Sequence, residues 1–365
     1  MIPVSKIVIS RKEENAVVEV LRSGQIAHGL KAEEFESNFA KYIGTKYAVA
    51  VSNGTVALHL AYLALGLKTG DEVITTPYSF IASVNSFLFV GATPIFVDIG
   101  EDFNIDASKV EEKITDKTKA IMPVDLYGNP CEMDKLLKIG EKYKIPIIED
   151  ACQAHGAEYK RKKIGSFGKL ACFSFYATKN MTTGEGGMIT TNDKNLYKYL
   201  KTARVHGSSV RYYHKFLGYN YRMTDIQAVL GIEQLKKLDE FNEKRIKNAE
   251  FLSNHLKDIK GIITPEVADN KKHVFHQYAI RITEDFLISR AKLIEFLKQY
   301  GIGSSITYPI PIHLQEEIIN MGFGNISLPA AEELSRQVLC LPVHPYLTQE
   351  ELKQIVNAVN LASKN

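Results

Sequence analysis

The 365-residue chain lacks most features that would assign it to a specialised class. It has only four cysteines, Cys131, Cys152, Cys172 and Cys340, and none stands in a C-x-x-C pair. Cys152 and Cys172 fall in apolar stretches, where a free thiol behaves as a small hydrophobe. All four are expected to be reduced, which favours the cytoplasm, and no metal site is expected. There is no run of about 18 apolar residues, so no membrane-spanning helix is predicted. Residues Met1 to Ser10 lack the apolar core of a secretory leader. Charge of one sign is scarce too. The formal net charge is +3, and no Lys/Arg run is dense enough to follow a phosphate backbone, so neither nucleic acid nor membrane is expected as a partner. No internal repeat or low-complexity segment stands out.

What remains is the composition of an ordinary folded protein, 45% apolar and 24% charged, in a chain long enough for two domains. The first half alternates short apolar β-type runs with helical ones. The strand candidates are Tyr47–Ser52, Glu72–Thr76, Pro94–Asp98, Lys119–Asp125, Ile145–Asp150, Ala171–Phe175 and Met188–Thr191. Most are apolar without strict alternation, as in strands covered on both faces. Helical runs Thr55–Leu65, Ser79–Phe89 and Met133–Tyr143 fall between them. This order predicts an α/β domain with a mostly parallel seven-stranded sheet, whose ligands sit at the carboxyl ends of strands. Beyond about residue 200 the pattern changes. Helical Thr224–Leu238 and Glu240–Leu256 lead to strand-like Val274–Ile282, helical Leu287–Tyr300, strand-like Gly303–Tyr308 and a last helix, Gln349–Ala362. A large domain over 1–245 and a smaller α+β domain over 246–365 are expected.

Four segments carry the chemistry. Ser52-Asn53-Gly54-Thr55 stands between a strand and a helix, where unpaired N–H groups and a positive dipole end can cradle a phosphate. An ordinary N-cap with a turn glycine reads the same way. Ile145 to Asp150, followed by Ala-Cys-Gln153-Ala-His155, places an acid at the end of a buried strand. Such a carboxylate needs a cation or donors, and a protonated pyridine ring would serve. Asp150 as a helix cap is the plainer reading, and Glu149 is its rival for the role. Gln153 could donate to a ring hydroxyl. Lys179 follows the apolar Phe173-Ser174-Phe175 and precedes Gly184-Glu-Gly-Gly187. A lysine so enclosed can become a nucleophile when desolvation lowers its pKa, although most lysines are solvated surface groups. Ser174 could reach the same phosphate as Gly54 and Thr55. In Thr75-Thr-Pro-Tyr-Ser-Phe80, Phe80 could stack on a flat ring or fill a core.

Together these segments resemble the DegT/StrS family of pyridoxal-phosphate (PLP) sugar aminotransferases, which share the type I, aspartate aminotransferase fold. The resemblance runs over nearly the whole chain in order. It includes Ser52–Leu58, Ile148–Gly156, Phe173–Gly187, Gly218-Tyr-Asn-Tyr-Arg-Met-Thr-Asp-Ile-Gln227 and Tyr308-Pro-Ile-Pro-Ile-His-Leu-Gln315. It implies that Lys179 forms a Schiff base with PLP and shuttles protons, while Asp150 pairs with the pyridinium. It further implies that Gln153 meets the ring hydroxyl and Phe80 stacks on the ring. Gly54, Thr55 and Ser174 would bind phosphate, joined by Asn220 from a second subunit of a homodimer with shared sites. The implied reaction moves an amino group from glutamate to a nucleotide-linked keto-sugar, with Tyr308 and His313 lining the sugar pocket. Tyr308-Pro309 could equally just end a strand. The resemblance assigns His155 no role. A PLP enzyme acting on another keto substrate would need an arginine for the carboxylate, for which Arg222 is the candidate. A DNA-binding regulator would use Thr224–Leu238 as a recognition helix, but its apolar residues Ile226, Val229, Leu230, Ile232 and Leu235 and its lack of a basic face argue against that.

Overall fold

The computed structural model describes residues 1–364. Seven strands form the central sheet: β1 (Tyr47–Val51), β2 (Glu72–Thr75), β3 (Thr93–Phe96), β4 (Thr118–Met122), β5 (Ile148–Asp150), β8 (Leu170–Ser174) and β9 (Gly187–Thr191). Between β5 and β8 lies a small hairpin, β6 (Glu158–Tyr159) and β7 (Lys162–Lys163). Strands β3, β2 and β4 pair in parallel, as do β5 and β8. Parallel bridges Ile121 to Ile147 and Val124 to Asp150 join these two groups. Strand β9 runs antiparallel between β8 and β1. The full order is therefore β3-β2-β4-β5-β8-β9-β1, and all seven strand candidates take part.

Side-chain alternation explains why these runs are apolar throughout. In β8, Leu170 and Cys172 enter the hydrophobic cluster on one face, while Ala171 and Phe173 enter the cluster on the other. Strand β1 divides likewise, Val49 and Val51 against Ala48 and Ala50. Helices cover both faces: α1 (Arg11–Ser23), α2 (Leu30–Ile43), α3 (Gly54–Ala64), α4 (Ala82–Leu88), α5 (Met133–Tyr143), α6 (Lys194–Ala203) and α7 (Asp225–Leu235). An exposed hairpin, β10 (Ser208–Val210) with β11 (Tyr213–His214), projects after α6. Helix α7 presses on α2 so closely that a Cβ on Gly231 would lie 2.5 Å from the Phe35 ring. Ala228, Val229 and Ile232 are buried there and are not available to a DNA groove.

Helix α8 (Leu238–Leu256) carries the chain from one core to the other. Leu238 packs in the large-domain cluster, while Ala249, Leu252 and Leu256 pack in the small-domain cluster. The expected boundary at residue 245 thus falls inside a continuous helix. The small domain also takes in the start of the chain, since the Ile2 N–H donates to the Gly301 carbonyl at 2.7 Å. It contains β12 (Ile262–Ile263), β13 (Lys271–Lys272), β14 (Tyr278–Ile282), α9 (Arg290–Gln299), α10 (Glu316–Asn320), α11 (Pro329–Gln337), β15 (Val338–Leu341) and α12 (Gln349–Ala362). Strands β12, β14 and β15 form its antiparallel sheet, whereas β13 pairs with β6 of the large domain.

Two β-type runs end differently from expectation. Val274–Gln277 stays outside β14 because its N–H groups turn to the large domain, Val274 to the Gly128 carbonyl at 3.0 Å and Gln277 to that of Tyr127 at 3.3 Å. Gly303–Tyr308 forms no strand beyond a single bridge from Ser305 to Cys340, since its later residues turn toward the cleft. Thr224–Leu238 is not one helix either; it breaks at Lys236 and Lys237 between α7 and α8. Among the described residues no helix is long and apolar enough to cross a membrane.

A buried ion pair locks α2 and β1 to the end of α6. The Arg204 and Glu36 side chains are 1% and 6% exposed. Glu36 also accepts the Ala50 N–H at 2.9 Å, and the His28 Nε2 lies 3.0 Å from the guanidinium. Removing one partner strands the other charge. Glu36→Ala should therefore cost about 3–5 kcal/mol in chemical denaturation, with an unchanged slope.

Candidate active site

The site begins where α3 starts. Asn53 caps the helix, its Oδ1 accepting the Val56 N–H at 3.0 Å. The Gly54 and Thr55 N–H groups have no acceptor within the helix and remain directed outward. Gly54 is required by crowding, because a Cβ there would lie 2.7 Å from the Ser174 Cβ and 3.2 Å from the Cys152 Sγ. A Cβ on Gly187 would meet the Asn53 carbonyl oxygen at 2.3 Å. These two glycines let α3, β8 and β9 converge, and they bring Ser174 beside the helix start.

The two acids ending β5 point to opposite faces and do different work. Glu149, fully buried, accepts the N–H groups of Gly165, Phe167 and Gly168 at 2.7, 2.8 and 2.6 Å. Burial pushes its carboxyl up, and those three bonds oppose the shift. It holds the loop before β8 and is committed there. Asp150 faces the α3 side. It accepts the Ser83 Oγ–H at 2.7 Å and the Cys152 N–H at 3.2 Å, and it is 3% exposed. Ser83, in turn 2.9 Å from the Ser79 Oγ, is a partner that no motif in the sequence signalled.

Lys179 lies in the loop between β8 and β9, half-buried, with surroundings that desolvate its ammonium and lower its pKa. Asp150 and the Cys152 thiol oppose that shift. The loop is firmly held. Asn180 Nδ2 donates to Asn242 Oδ1 at 2.8 Å and to the Val274 carbonyl at 3.0 Å, and the Thr182 hydroxyl donates to the Phe175 carbonyl at 3.0 Å.

Around this pair the structure gathers Gln153, Tyr308 and Phe80. Gln153 Oε1 accepts the Tyr127 N–H at 2.9 Å, and its Nε2 donates to the Tyr308 hydroxyl at 3.1 Å. One amide hydrogen is left for a ligand. The Tyr308 N–H donates to the Tyr78 hydroxyl at 3.1 Å, which donates back to the Tyr308 carbonyl at 3.0 Å. Tyr308 thus belongs beside the β5 end, although its segment follows the small-domain helix α9. Burial, with Asp150 nearby, pushes its hydroxyl up, so it stays a donor. Phe80 is 56% exposed, its ring centroid 6.2 Å from that of Tyr308, and it therefore flanks the cleft rather than a core.

Three residues stand apart. His313 is fully buried, its Nε2 3.4 Å from Glu332 Oε1 and its ring against Phe96. The structure does not bring it to Lys179 or to open solvent, unlike the pocket position expected from sequence, because its turn packs beneath β3. Asn220 is exposed at the chain surface. Arg222 bridges Val51 through its backbone and joins no ion pair among the described residues.

The donor set fits a pyridoxal phosphate. Helix-start N–H groups and a serine hydroxyl suit the phosphate, an acceptor-only carboxylate suits a protonated ring nitrogen, and a desolvated lysine lies within electrostatic reach of that carboxylate. The two acids can be told apart by stability. Glu149→Gln sets an amide against three N–H donors and should lose about 2 kcal/mol. Asp150→Asn, whose hydroxyl partner can reverse its bond, should change the denaturation midpoint little. Equal losses would mean that Asp150 is structural.

The chain is similar to known proteins over nearly its whole length. The GDP-perosamine synthase of Caulobacter vibrioides is 41% identical, with 90% of this chain and 88% of that protein aligned. The dTDP-3-amino-3,6-dideoxy-alpha-D-galactopyranose transaminase of Aneurinibacillus thermoaerophilus is 40% identical over 95% and 94%. Among solved structures, Spr1654 of Streptococcus pneumoniae in its PLP form superposes with a TM-score of 0.94 at 31% identity, covering 100% of this chain and 98% of that one. Residues 8–360 match the model of one family, and the chain belongs to it: the DegT/DnrJ/EryC1/StrS aminotransferase family.

Proposed function

We propose that this chain is a PLP-dependent aminotransferase that moves an amino group from glutamate to a keto-sugar carried on a nucleotide, in amino-sugar biosynthesis. The observation that carries the reading is the convergence of Lys179, Asp150, Ser174 and the α3 start at the carboxyl ends of β5 and β8. Relatives named for GDP- and dTDP-linked sugars support the substrate class. When bound, the cofactor supplies an electron sink for charge developing on the substrate carbon.

The chain's own residues do the rest. Gly54, Thr55 and Ser174 hold the phosphate and so fix the ring's place. Asp150 keeps the proton on the ring nitrogen, and Ser83 orients that carboxylate. Gln153 and Tyr308 address the ring hydroxyl and the substrate side, and Phe80 covers a ring face. Lys179 Nζ, whose pKa burial lowers, would take the proton from the substrate carbon and hold it for return. The enzyme in its amine-loaded form, offered keto-sugar nucleotides beside plain 2-oxo acids, should aminate the sugars faster by at least about 100-fold. Preference for the oxo acids would favour a non-sugar substrate. Lys179→Ala should lose more than about 1,000-fold in turnover together with the visible band of lysine-bound cofactor.

We also infer a homodimer with shared sites. Asn220 follows a segment with exposed apolar groups, Val210 (62%), Tyr213 (73%) and Leu217 (83%), as expected of a surface that a second subunit covers. Asn220 would then donate to the partner's phosphate. Asn220→Asp and Lys179→Ala chains, each inactive alone, should regain roughly a quarter of wild-type activity on subunit exchange, since half the dimers are mixed and each has one intact site. No recovery after verified exchange would place Asn220 in its own chain's site.

A further inference from the structure

Behind Lys179, on α8, lies a cation without a counter-ion. Arg245 is 5% exposed, and its guanidinium donates to the Phe275 carbonyl at 3.2 Å. Its Nε has no partner, and it forms no ion pair among the described residues. Arg245 lines a crevice of about 20 Å³ together with Lys179, Thr178, Lys6 and Tyr346, and no acidic side chain lines it. Asp150 acts on Lys179, whereas the acids that act on His344 and Tyr346 are engaged elsewhere. Glu13 is bound by Lys237 and Gln234, Glu240 by Lys244, and Glu351 by the first turn of α12.

Neighbouring groups register the uncompensated charge. Burial and then Lys179 and Arg245 hold His276 well below its usual range. Burial, Arg245 and Lys6 hold His344 down to about 4, against Glu351. These imidazoles stay neutral and add no charge of their own. A buried guanidinium is costly unless paired, and a carbonyl acceptor does not neutralise it.

We propose that this crevice binds one small monovalent anion of chloride size, with Arg245 as its principal ligand and Lys6 at its rim. The size follows from the volume, which is room for one occupant slightly larger than a water. The anion would lie on the loop carrying Lys179, where it stabilises that loop's seat against α8 and the segment Pro345–Tyr346. The inference stands on Arg245 and the crevice and does not rest on the aminotransferase reading.

Thermal unfolding of the full-length holoenzyme tests it, in sodium chloride or bromide against sodium gluconate at equal ionic strength. Halide should raise the midpoint with the logarithm of its concentration above Kd, by about 2 °C near ten times its Kd, and gluconate should not. Arg245→Met should abolish that halide response. Lys6→Met, at an exposed position, should raise the Kd fitted to that curve about threefold, which keeps the test decisive if Arg245→Met does not fold. A bromide-soaked crystal should show an anomalous peak within hydrogen-bonding reach of the Arg245 guanidinium. The absence of both a halide-specific shift and a peak would overturn the site, as would an undiminished shift in Arg245→Met or Lys6→Met. Saturation by glutamate with no response to halide would also overturn it, making the crevice a carboxylate subsite.

Discussion

Strand β5 ends in two adjacent carboxylates, and their opposite orientations organise the large domain. Successive side chains of a strand face opposite sides, so Glu149 and Asp150 cannot share a partner. Glu149 takes three backbone N–H groups and fixes the loop that launches β8. Asp150 is left on the α3 side with one hydroxyl and one N–H, which is too little for a buried carboxylate and leaves it available to a cation. Both charges sit in the sheet interior, so each must be satisfied for the fold and the chemistry to coexist.

Lys179 depends on that arrangement. Its loop is anchored at Asn180, Thr182 and Thr183, and Asn242 of α8 ties the same point to the His155 carbonyl at 2.8 Å. The lysine is thereby held where burial lowers its pKa while Asp150 and Cys152 limit the shift. Because α8 also belongs to the small-domain core, the lysine's seat is coupled to packing between the domains. Arg245, one turn beyond Asn242 on that helix, brings a second buried positive charge to the back of the same loop.

The large domain was legible because its strands are covered on both faces and read as short apolar runs, separated by helices at regular intervals. The β5 end, the Lys179 loop and the α3 start stood out as candidate positions for a related reason. In a parallel α/β sheet the polar residue following an apolar run falls at the functional edge. The choice between Glu149 and Asp150 was not legible, since adjacent residues on a strand differ only in the face they meet. Nor were Ser83 and Tyr127, whose roles come from packing across chain separations of tens of residues.

Composition and period by themselves determined the α/β class and the seven strands, because these follow from local patterning along one chain direction. Tertiary structure alone decided the rest. It placed His313 beneath β3 against Phe96 and Glu332, and it turned Tyr308 toward Gln153. It also ran α8 through the expected boundary and returned Ile2 to the small domain. Each of these outcomes is set by which distant surface a segment packs against, and periodicity along the chain carries no record of that partner.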